Sequence, residues 1–340
     1  MTNKVKIIQY GVGEMGAEAV RQTLEKRDLE LVGCIDKYTG VGMDVGKVVG
    51  LDRDIGIKVS DNAEEVYKTV KAEVLVHCAV SEVKGTFQQT KRAMENGMNV
   101  ITIAERCAYP WITEPQLAEE IDKVAKNNRV SFLGTGINPG IRFDYLPIVL
   151  TGMMKKVSKV NLLVRADWTN YGKIPWDHAG IGRTIEDFNA GRDKGDIVLH
   201  VGFAESSRLI AKALGWKIND YNETSEPRIS TFRRETKWGI IEAGTVCGFK
   251  QTGHSFVNGK EVITAEVEGI ARPTKEDNFE IGTFYSIDGI AGIKVEIKGE
   301  FVNQGGWATA AHAINSIPQV IAARSGLITV EELPPSSCLP

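Results

Sequence analysis

Short apolar runs alternate with helical patterns over the first 140 residues of this 340-residue chain. The runs are rich in valine and isoleucine and apolar on both faces, which is typical of strands buried in a parallel sheet. Amphipathic segments between them predict helices over residues 16–27, 83–97 and 113–128. The predicted strands are "VKIIQYG", "LELVGCID", "AEVLVHCAV", "NVITIAE" and "RVSFLGTG". The alternation predicts an α/β domain with a doubly wound parallel sheet.

The pattern changes after about residue 150, where long β-rich stretches replace the alternation. "VNGKE" places Asn-Gly between two of these stretches, which is the strongest short signal for a β-hairpin. "DIVLHVGFA" is also predicted to be β-structure, "SSRLIAKALGW" a helix and "ADWTNYGKIPWDHAGIG" a glycine-containing loop. We therefore expect a second α+β domain built on a mostly antiparallel sheet.

The segment "WATAAHAINSIPQVIAARSG" is apolar on nearly every face, so we predict a buried helix that packs back on the first domain. The predicted domains are then residues 1–140 with a helix within 305–330, and residues 141–304. The tail "EELPPSSCLP" is expected to be extended or frayed.

Charge and cysteine content narrow the classes of function. A net charge of -3 gives no electrostatic reason to expect nucleic acid or an anionic membrane as a partner. No apolar stretch is long enough to span a bilayer, and "MTNKVKIIQY" lacks the apolar region of a secretory signal, so cytoplasm is expected. The five cysteines form no C-x-x-C pair and lie mostly in apolar runs, which argues against a disulfide framework and against a metal site.

A glycine motif carries the first functional prediction. Gly11, Gly13 and Gly16 form G-x-G-x-x-G after an apolar strand and at the start of a helix, the context of a Rossmann dinucleotide-binding domain. Asp36 lies twenty residues after Gly16, where an acid binds the adenosine ribose and disfavours a 2′-phosphate. Lys37 could instead accept that phosphate, so NAD is favoured and NADP use is tolerated. The predicted cofactor contacts here are Gly11, Val12, Gly13, Glu14, Met15, Gly16, Asp36 and Lys37.

Ligands of open α/β sheets bind at the carboxyl ends of the strands. Three stretches, "HCAVSE", "AERCAYPW" and "GTGINPG", lie at such ends. We predict cofactor contacts there at Cys78, Ala79, Val80 and Ala104, and at Asn138, whose side chain offers both a donor and an acceptor. Glu105 follows an apolar strand, and partial burial would raise its pKa towards neutrality, as suits a general base. His77 is either a proton shuttle or a hydrogen-bonded core histidine.

The motifs "YGVGEMG", "VHCAV", "ITIAERCAYPW", "GTGINPG" and "WATAAHAINSIP" occur in that order. In this combination the chain resembles the 2,4-diaminopentanoate dehydrogenases and the native amine dehydrogenases, within the wider dihydrodipicolinate-reductase-like group. The resemblance covers nearly the whole chain. It implies NAD(P)-linked oxidative deamination of 2,4-diaminopentanoate to 2-amino-4-oxopentanoate and ammonia, as in ornithine fermentation. It also implies reversibility as reductive amination of small ketones, and a homodimer joined through the second domain.

The family glutamate that handles the amine maps onto Glu105, although the cationic Arg106 beside it leaves the pKa of Glu105 open. The second domain is expected to supply a wall of the substrate pocket, with Tyr171 touching the reacting end. Arg142 and Arg183 are candidates for a substrate carboxylate. Further predicted contacts are Asn138 and His254 for the substrate and Asn315 for the cofactor.

Two other interpretations remain open at this point. One is reduction of a cyclic C=N bond, as in dihydrodipicolinate reductase, although the chain lacks the His- and Lys-rich segment expected to bind a dicarboxylate. The other is a non-catalytic NAD-binding sensor. A buried base at position 105 would argue against the sensor, since a binding module has no use for one.

Overall fold

The structure is a computed structural model that describes residues 4–303 and 305–340. The chain forms two compact units, Met1–Tyr145 with Gly306–Pro340 (unit 1) and Leu146–Gly305 (unit 2). Within the described ranges, no helix is long and apolar enough to cross a membrane.

The first part of unit 1 alternates strands and helices in chain order. Its strands are β1 Val5–Tyr10, β2 Leu29–Ile35, β3 Val59–Ser60, β4 Val74–His77, β5 Asn99–Thr102 and β6 Ser131–Gly134. Its helices are α1 Glu14–Glu25, α2 Val45–Val48, α3 Ala63–Thr69, α4 Val83–Glu95 and α5 Pro115–Asn127. The predicted strands correspond to β1, β2, β4, β5 and β6, and the predicted helices to α1, α4 and α5. The short elements between β2 and β4 and the two 3₁₀ turns after β5, Glu105–Ala108 and Pro110–Ile112, are not predicted by the sequence pattern.

Unit 2 begins within helix α6 (Tyr145–Thr151). Its helices are α7 Lys173–His178, α8 Ile185–Lys194 and α9 Phe203–Leu214. Its strands are β7 Lys156–Asp167, β8 Asp220–Ile229, β9 Arg234–Thr236, β10 Gly239–Ile241, β11 Val246–Val257, β12 Lys260–Ile270, β13 Gly282–Ile290 and β14 Ile293–Ile297. The predicted loop over 166–182 therefore contains a short helix, α7.

Six of these strands form a mixed sheet in the order β14-β13-β7-β12-β11-β8, in which only β7 and β12 run parallel. The predicted hairpin joins β11 to β12, and Asn258 and Gly259 both have positive φ, as a tight hairpin turn requires. Strands β9 and β10 form a separate two-stranded hairpin. The mostly antiparallel second domain is confirmed.

The prediction of β-structure at "DIVLHVGFA" is wrong. Residues 196–202 are irregular, and the helix α9 begins at Phe203. The backbone of His200 is paired with the Gln251 side chain, whose oxygen accepts from the His200 N–H at 2.8 Å and whose amide donates to the His200 carbonyl at 3.1 Å. A side chain thus satisfies backbone groups that a neighbouring strand would otherwise bond.

The chain returns to unit 1 as α10 (Gly305–Asn315), α11 (Ile317–Ala322) and strand β15 (Gly326–Ile328). The single helix predicted over 307–326 is divided after Asn315, because Pro318 has no N–H and its ring crowds the preceding turn. Ala310, Ala313 and Ile314 pack with buried residues of the unit 1 strands. The completed sheet is entirely parallel, in the order β15-β6-β5-β4-β1-β2-β3. Without β15, this is the strand order of a Rossmann domain.

Candidate active site

The glycine loop between β1 and α1 has the geometry of a dinucleotide cradle. Gly11 has φ +89° and packs so closely on β4 that a Cβ there would lie 2.7 Å from the Cys78 carbonyl oxygen. At Gly16 a Cβ would lie 1.9 Å from the Gly11 carbonyl oxygen. Gly13 is exposed at the N-cap of α1, and a Cβ there would meet nothing within 4 Å. Two glycines therefore close the loop, and the third leaves space beside the helix N-terminus, where a pyrophosphate fits.

Asp36 follows β2 and binds this loop directly. Its Oδ2 accepts from the Val12 N–H at 2.8 Å, and its Oδ1 accepts from the N–H groups of Tyr38 and Thr39, both at 2.8 Å. Burial alone would raise the pKa of Asp36, but these backbone donors outweigh burial and hold the pKa below its ordinary value. The carboxylate therefore stays ionised, and its Oδ2 retains a lone pair for a ribose hydroxyl.

The other predicted cofactor residues lie along the same edge of the sheet. Lys37 is exposed, with its ammonium 5.5 Å from the centre of the Tyr38 ring. Glu14 is exposed in the first turn of α1, and Met15 lies near Gly306 at the start of α10. Directly beyond β4 and β5 lie Cys78, Ala79, Val80 and Ala104. Burial raises the pKa of the Cys78 thiol to about 12, so this cysteine is a neutral part of the wall.

Glu105 begins a 3₁₀ turn, Glu105–Ala108, three residues beyond the end of β5. Its side chain is half-buried. Burial raises the pKa of Glu105, against hydrogen bonds from its own N–H and from Ser81 and against the attraction of Arg106; Glu82 adds to the rise. Arg106 lies 3.9 Å from the exposed Glu82, measured from Nε to Oε2. The effect of burial on the pKa of Glu105 is therefore larger than the opposite effect of the Arg106 cation.

Glu105 and the glycine loop are close in the fold, because β4 lies between β5 and β1 in the sheet. Adjacent strands are about 4.8 Å apart, so β5 and β1 are separated by roughly 10 Å. Ser81, which bonds Glu105, follows the same β4 end against which Gly11 packs. A carboxyl group of raised pKa and a dinucleotide cradle thus share one edge of one sheet.

The segment "GTGINPG" begins at the last residue of β6 and is compact because two of its glycines touch neighbouring backbone. A Cβ at Gly134 would lie 2.2 Å from the Cys107 carbonyl carbon, and one at Gly140 would lie 2.1 Å from the Gly136 carbonyl oxygen. The first glycine therefore lets the 3₁₀ turn of Glu105 rest directly on β6, and the last closes the loop on itself.

Arg142 is only 4% exposed, and its Nε donates to the Asn138 side-chain oxygen at 3.2 Å. Arg142 therefore orients Asn138 in this structure, and a direct contact of Arg142 with substrate stays a prediction.

In unit 2, Tyr171 lies in an aromatic group at the end of β7. Its ring stacks on Trp168 with centroids 4.2 Å apart, and its carbonyl accepts from the Trp238 indole N–H at 3.0 Å. Trp168 in turn packs edge-on against Phe249. Trp238 belongs to the β9–β10 hairpin, and nothing in the local pattern of "TKWG" could have predicted that long-range bond.

His254 does not join that aromatic group, which corrects the expectation that it lines a site with Tyr171. It lies opposite Thr264 on β12, whereas Trp168 contacts the Gly269 position. Five residues of strand separate these positions by about 17 Å, and an odd number of residues puts them on opposite faces of the sheet. His254 is instead bonded to Glu261 at 2.6 Å and to Thr224 at 3.2 Å.

The prediction for Asn315 also needs correction. Asn315 is the last residue of α10, and its side-chain oxygen accepts from the Leu339 N–H at 3.0 Å. The opposite end of α10 contains Gly306 and Thr309, which approach Met15 and Gly136. An eleven-residue helix is about 15 Å long, so Asn315 anchors the C-terminal tail, away from the cofactor loop. The tail is extended, as predicted, but it is tied down.

No cluster of three or more His, Cys, Asp or Glu side chains suited to a metal ion occurs in the described part of the chain. The five cysteines are all free thiols.

Comparisons with known proteins show the family to which the chain belongs. Residues 141–340 match the family model of the 2,4-diaminopentanoate dehydrogenase C-terminal domain, and residues 5–103 match that of the dihydrodipicolinate reductase N-terminus. A 2,4-diaminopentanoate dehydrogenase from Acetoanaerobium sticklandii is 35% identical over 333 residues, covering 97% of this chain and 94% of that protein.

More distant relatives extend the match. An amine dehydrogenase from Streptomyces virginiae is 24% identical over 356 residues, covering 97% of this chain and 96% of that protein. The solved structure of an amine dehydrogenase from Mycobacterium smegmatis has the same fold, with a TM-score of 0.82 at 23% identity and coverage of 98% of this chain and 97% of that one. The chain therefore belongs to the 2,4-diaminopentanoate dehydrogenase family, a group of NAD(P)-dependent amine dehydrogenases.

Proposed function

We propose that this protein catalyses the NAD(P)-dependent oxidative deamination of 2,4-diaminopentanoate to 2-amino-4-oxopentanoate and ammonia. The observation that carries the proposal is Glu105, a half-buried carboxyl group of raised pKa at the same sheet edge as the dinucleotide cradle. The relative from Acetoanaerobium sticklandii supports the choice of this diamine.

The proposed chemistry needs a base at two stages. When bound, the nicotinamide supplies a two-electron acceptor that takes a hydride from the amine-bearing carbon. An ammonium group has no lone pair to assist that transfer, so Glu105 first accepts a proton from the substrate nitrogen. Hydride loss leaves an iminium ion, and Glu105 must release its first proton to solvent before the next step. The ionised Glu105 then accepts a proton from the water that adds to the iminium carbon, and it returns that proton to the leaving nitrogen. Collapse of the adduct releases ammonia and leaves the ketone.

The same groups operate in reverse. With a small ketone, ammonia and reduced cofactor, a protonated Glu105 donates the proton that lets water leave, and reductive amination follows. A carboxyl group whose pKa is raised by burial suits both directions, because it holds a proton more readily than an exposed glutamate and can also give that proton up.

We propose NAD as the preferred cofactor, with NADP tolerated. The ionised Asp36, fixed by three backbone N–H donors, would bind a ribose hydroxyl and repel a 2′-phosphate. The exposed Lys37 next to it would offset part of that repulsion.

We also propose that two copies associate through unit 2, as the family resemblance implies. One face of its six-stranded sheet is rich in charges of both signs, with Glu268 bonded to Arg165 at 2.8 Å and to Arg228 at 3.1 Å. A face of alternating charge can pair with its own copy about a two-fold axis. Light scattering in solution tests this association, and a monomer at all concentrations would reject it.

The catalytic proposal is tested with purified protein, 2,4-diaminopentanoate and either NAD⁺ or NADP⁺, following the absorbance of the reduced nicotinamide. We expect turnover with both and a higher kcat/KM with NAD⁺. Glu105→Gln keeps the shape of the side chain but cannot accept a proton, so turnover should fall by about 10²- to 10⁴-fold while the Kd for NADH is retained.

Glu114→Gln is the matched control, because Glu114 is an exposed acid at the start of α5. It should keep parental turnover. Activity on other amines but not on 2,4-diaminopentanoate would show that this diamine is not the substrate. Near-parental turnover of Glu105→Gln would show that Glu105 is not the general base.

A further inference from the structure

Three side chains, of which two are fully buried, connect helix α4 to the residue just before Glu105. The Gln89 side-chain oxygen lies 2.8 Å from His77 Nε2, and His77 Nδ1 lies 2.9 Å from the Thr102 hydroxyl oxygen. That hydroxyl oxygen accepts from the Ala104 N–H at 3.2 Å. His77 and Thr102 are both fully buried.

The hydrogen bonds in this series have one consistent direction. The Gln89 oxygen can only accept, so His77 Nε2 carries the proton and Nδ1 presents a lone pair. The Thr102 hydroxyl then donates to Nδ1, which leaves the hydroxyl oxygen free to accept from Ala104. Rotation of the Thr102 hydroxyl is thereby fixed by the imidazole.

The imidazole is neutral under ordinary conditions. Burial lowers the pKa of His77 to about 4, and its bond to Gln89 opposes this only in part. A neutral, fully buried ring with both nitrogens bonded cannot exchange protons with substrate. These surroundings favour the hydrogen-bonded core histidine over the proton shuttle.

Thr102 also joins two loops of the candidate site. Its carbonyl oxygen accepts from the Thr135 N–H at 2.9 Å, at the start of the loop that contains Asn138. The Ile103 N–H donates to the His77 carbonyl at 3.1 Å. The backbone leading to Glu105 is thus held at two successive N–H groups, one by the His77 carbonyl and one by the Thr102 hydroxyl.

We propose that His77 and Thr102 are positioning residues for Glu105: the imidazole orients the Thr102 hydroxyl, and that hydroxyl fixes the backbone from which the Glu105 side chain projects. The inference rests on the proposed role of Glu105 as the base. The competing explanation is that these bonds only satisfy polar groups in the core, in which case their loss changes stability and leaves the chemistry intact.

Thr102→Val tests the proposal, because valine has nearly the same shape and lacks the hydroxyl. We expect kcat to fall about 10- to 100-fold, since small misplacements of a reacting group cost rates of this order, while the Kd for NADH stays within twofold. Thr102→Ser retains the hydroxyl and should restore most of the loss. His77→Phe, which keeps a ring and removes both nitrogens, should reproduce the Thr102→Val pattern.

A pH profile separates positioning from stability. The acid limb of kcat/KM reports Glu105, whose charged neighbours Arg106 and Glu82 are unchanged in these variants. We expect that limb to shift in Thr102→Val and to return in Thr102→Ser. Thr90→Val is the matched control, since Thr90 is also fully buried but bonds only the Thr86 carbonyl within α4. It should lower thermal stability without changing kcat or the pH profile.

Hydrogen exchange measured by mass spectrometry supplies a readout independent of turnover. Peptides that contain residues 103–108 should exchange faster in Thr102→Val than in the parent or Thr90→Val. A Thr102→Val protein with parental kcat, pH profile and exchange would overturn the proposal. If the parent itself fails to oxidise amines, the proposed function fails, and the exchange result alone decides whether the network holds this loop.

Discussion

The carboxyl edge of the parallel sheet in unit 1 and the charged face of the mixed sheet in unit 2 hold their groups in different ways. In unit 1, backbone lies directly on backbone, as at Gly16 against Gly11 and at Gly134 against Cys107. In unit 2, side chains of opposite charge meet across strands, as Glu268 does with Arg165 and Arg228. The contacts in unit 1 require glycines, which have no side chain. The contacts in unit 2 require charged side chains. Adding a Cβ at one of these glycines should therefore destabilise unit 1, and removing one partner of a buried ion pair should destabilise unit 2.

The largest effect is expected from Arg234→Met in unit 2. The Arg234 guanidinium is 1% exposed and binds both oxygens of Asp277, at 2.9 Å and 2.5 Å. Burial tends to raise the pKa of Asp277, and the bond from Arg234 reverses this, so the carboxylate would be left charged and without its buried partner. We expect the free energy of unfolding to fall by about 3–5 kcal/mol, measured by urea denaturation.

Lys173→Met provides the comparison within the same unit, because Lys173 pairs with Asp177 at the surface. It should cost less than about 1 kcal/mol. Equal losses in the two variants would show that burial does not determine the strength of ion pairs in unit 2.

In unit 1, Gly16→Ala should cost about 3 kcal/mol, although alanine is the better helix former. The added Cβ would lie 1.9 Å from the Gly11 carbonyl oxygen, so the glycine loop must shift. Gly13→Ala should change stability by less than about 0.5 kcal/mol, because its Cβ meets nothing within 4 Å, yet it should weaken NADH binding at least tenfold. Urea denaturation and NADH fluorescence measure the two effects. Unchanged NADH affinity in Gly13→Ala would contradict the location of the pyrophosphate.

For each histidine involved, lowering the pH should reduce the free energy of unfolding by less than Arg234→Met or Gly16→Ala does. Burial lowers the pKa of both His77 and His312, which belong to unit 1, to about 4, against about 6.5 in an unfolded chain. Their contribution to stability is fully present above pH 6.5 and is lost as the pH falls toward 4, because the unfolded chain binds protons first. Between pH 7 and pH 5 each histidine should cost about 2 kcal/mol.

His312→Gln tests this, since glutamine does not titrate. The loss of unfolding free energy between pH 7 and pH 5 should be smaller by about 2 kcal/mol in the variant than in the parent. Hydrogen exchange at pH 5 should also show peptides of unit 1 opening before those of unit 2. Identical pH dependence in parent and variant would rule out the buried neutral histidine.

The two units also differ in how much of them the sequence predicts. Parallel strands buried on both faces give unbroken apolar runs, so β1, β2, β4, β5 and β6 are visible in the pattern. The glycine motif and Glu105 are local features of strand ends, and their positions follow from the sheet. Strand β8 escaped prediction because it is polar, contains Pro227 and lies at a sheet edge, where proline is tolerated.

Contacts between residues far apart in the chain explain the other places where the structure differs from the sequence-based prediction. His254 and Tyr171 both lie in β-rich sequence, but which face and which end of a sheet a residue occupies depends on pairing with distant strands. The backbone of His200 is bonded by the Gln251 side chain, fifty-one residues away, and the Asn315 side-chain oxygen accepts from the Leu339 N–H, twenty-four residues away. Thr102 was not singled out because a threonine in an apolar strand carries no local sign that two loops depend on it.

The position and the acidity of Glu105 are controlled by different parts of the molecule. We propose that its position depends on the fully buried His77 and Thr102 of the sheet. Its acidity also responds to Ser81, Glu82 and Arg106, of which Ser81 and Glu82 are exposed and Arg106 is partly so. Exchange of these outer residues would therefore change the pKa of Glu105, while the buried residues beneath its backbone stay the same.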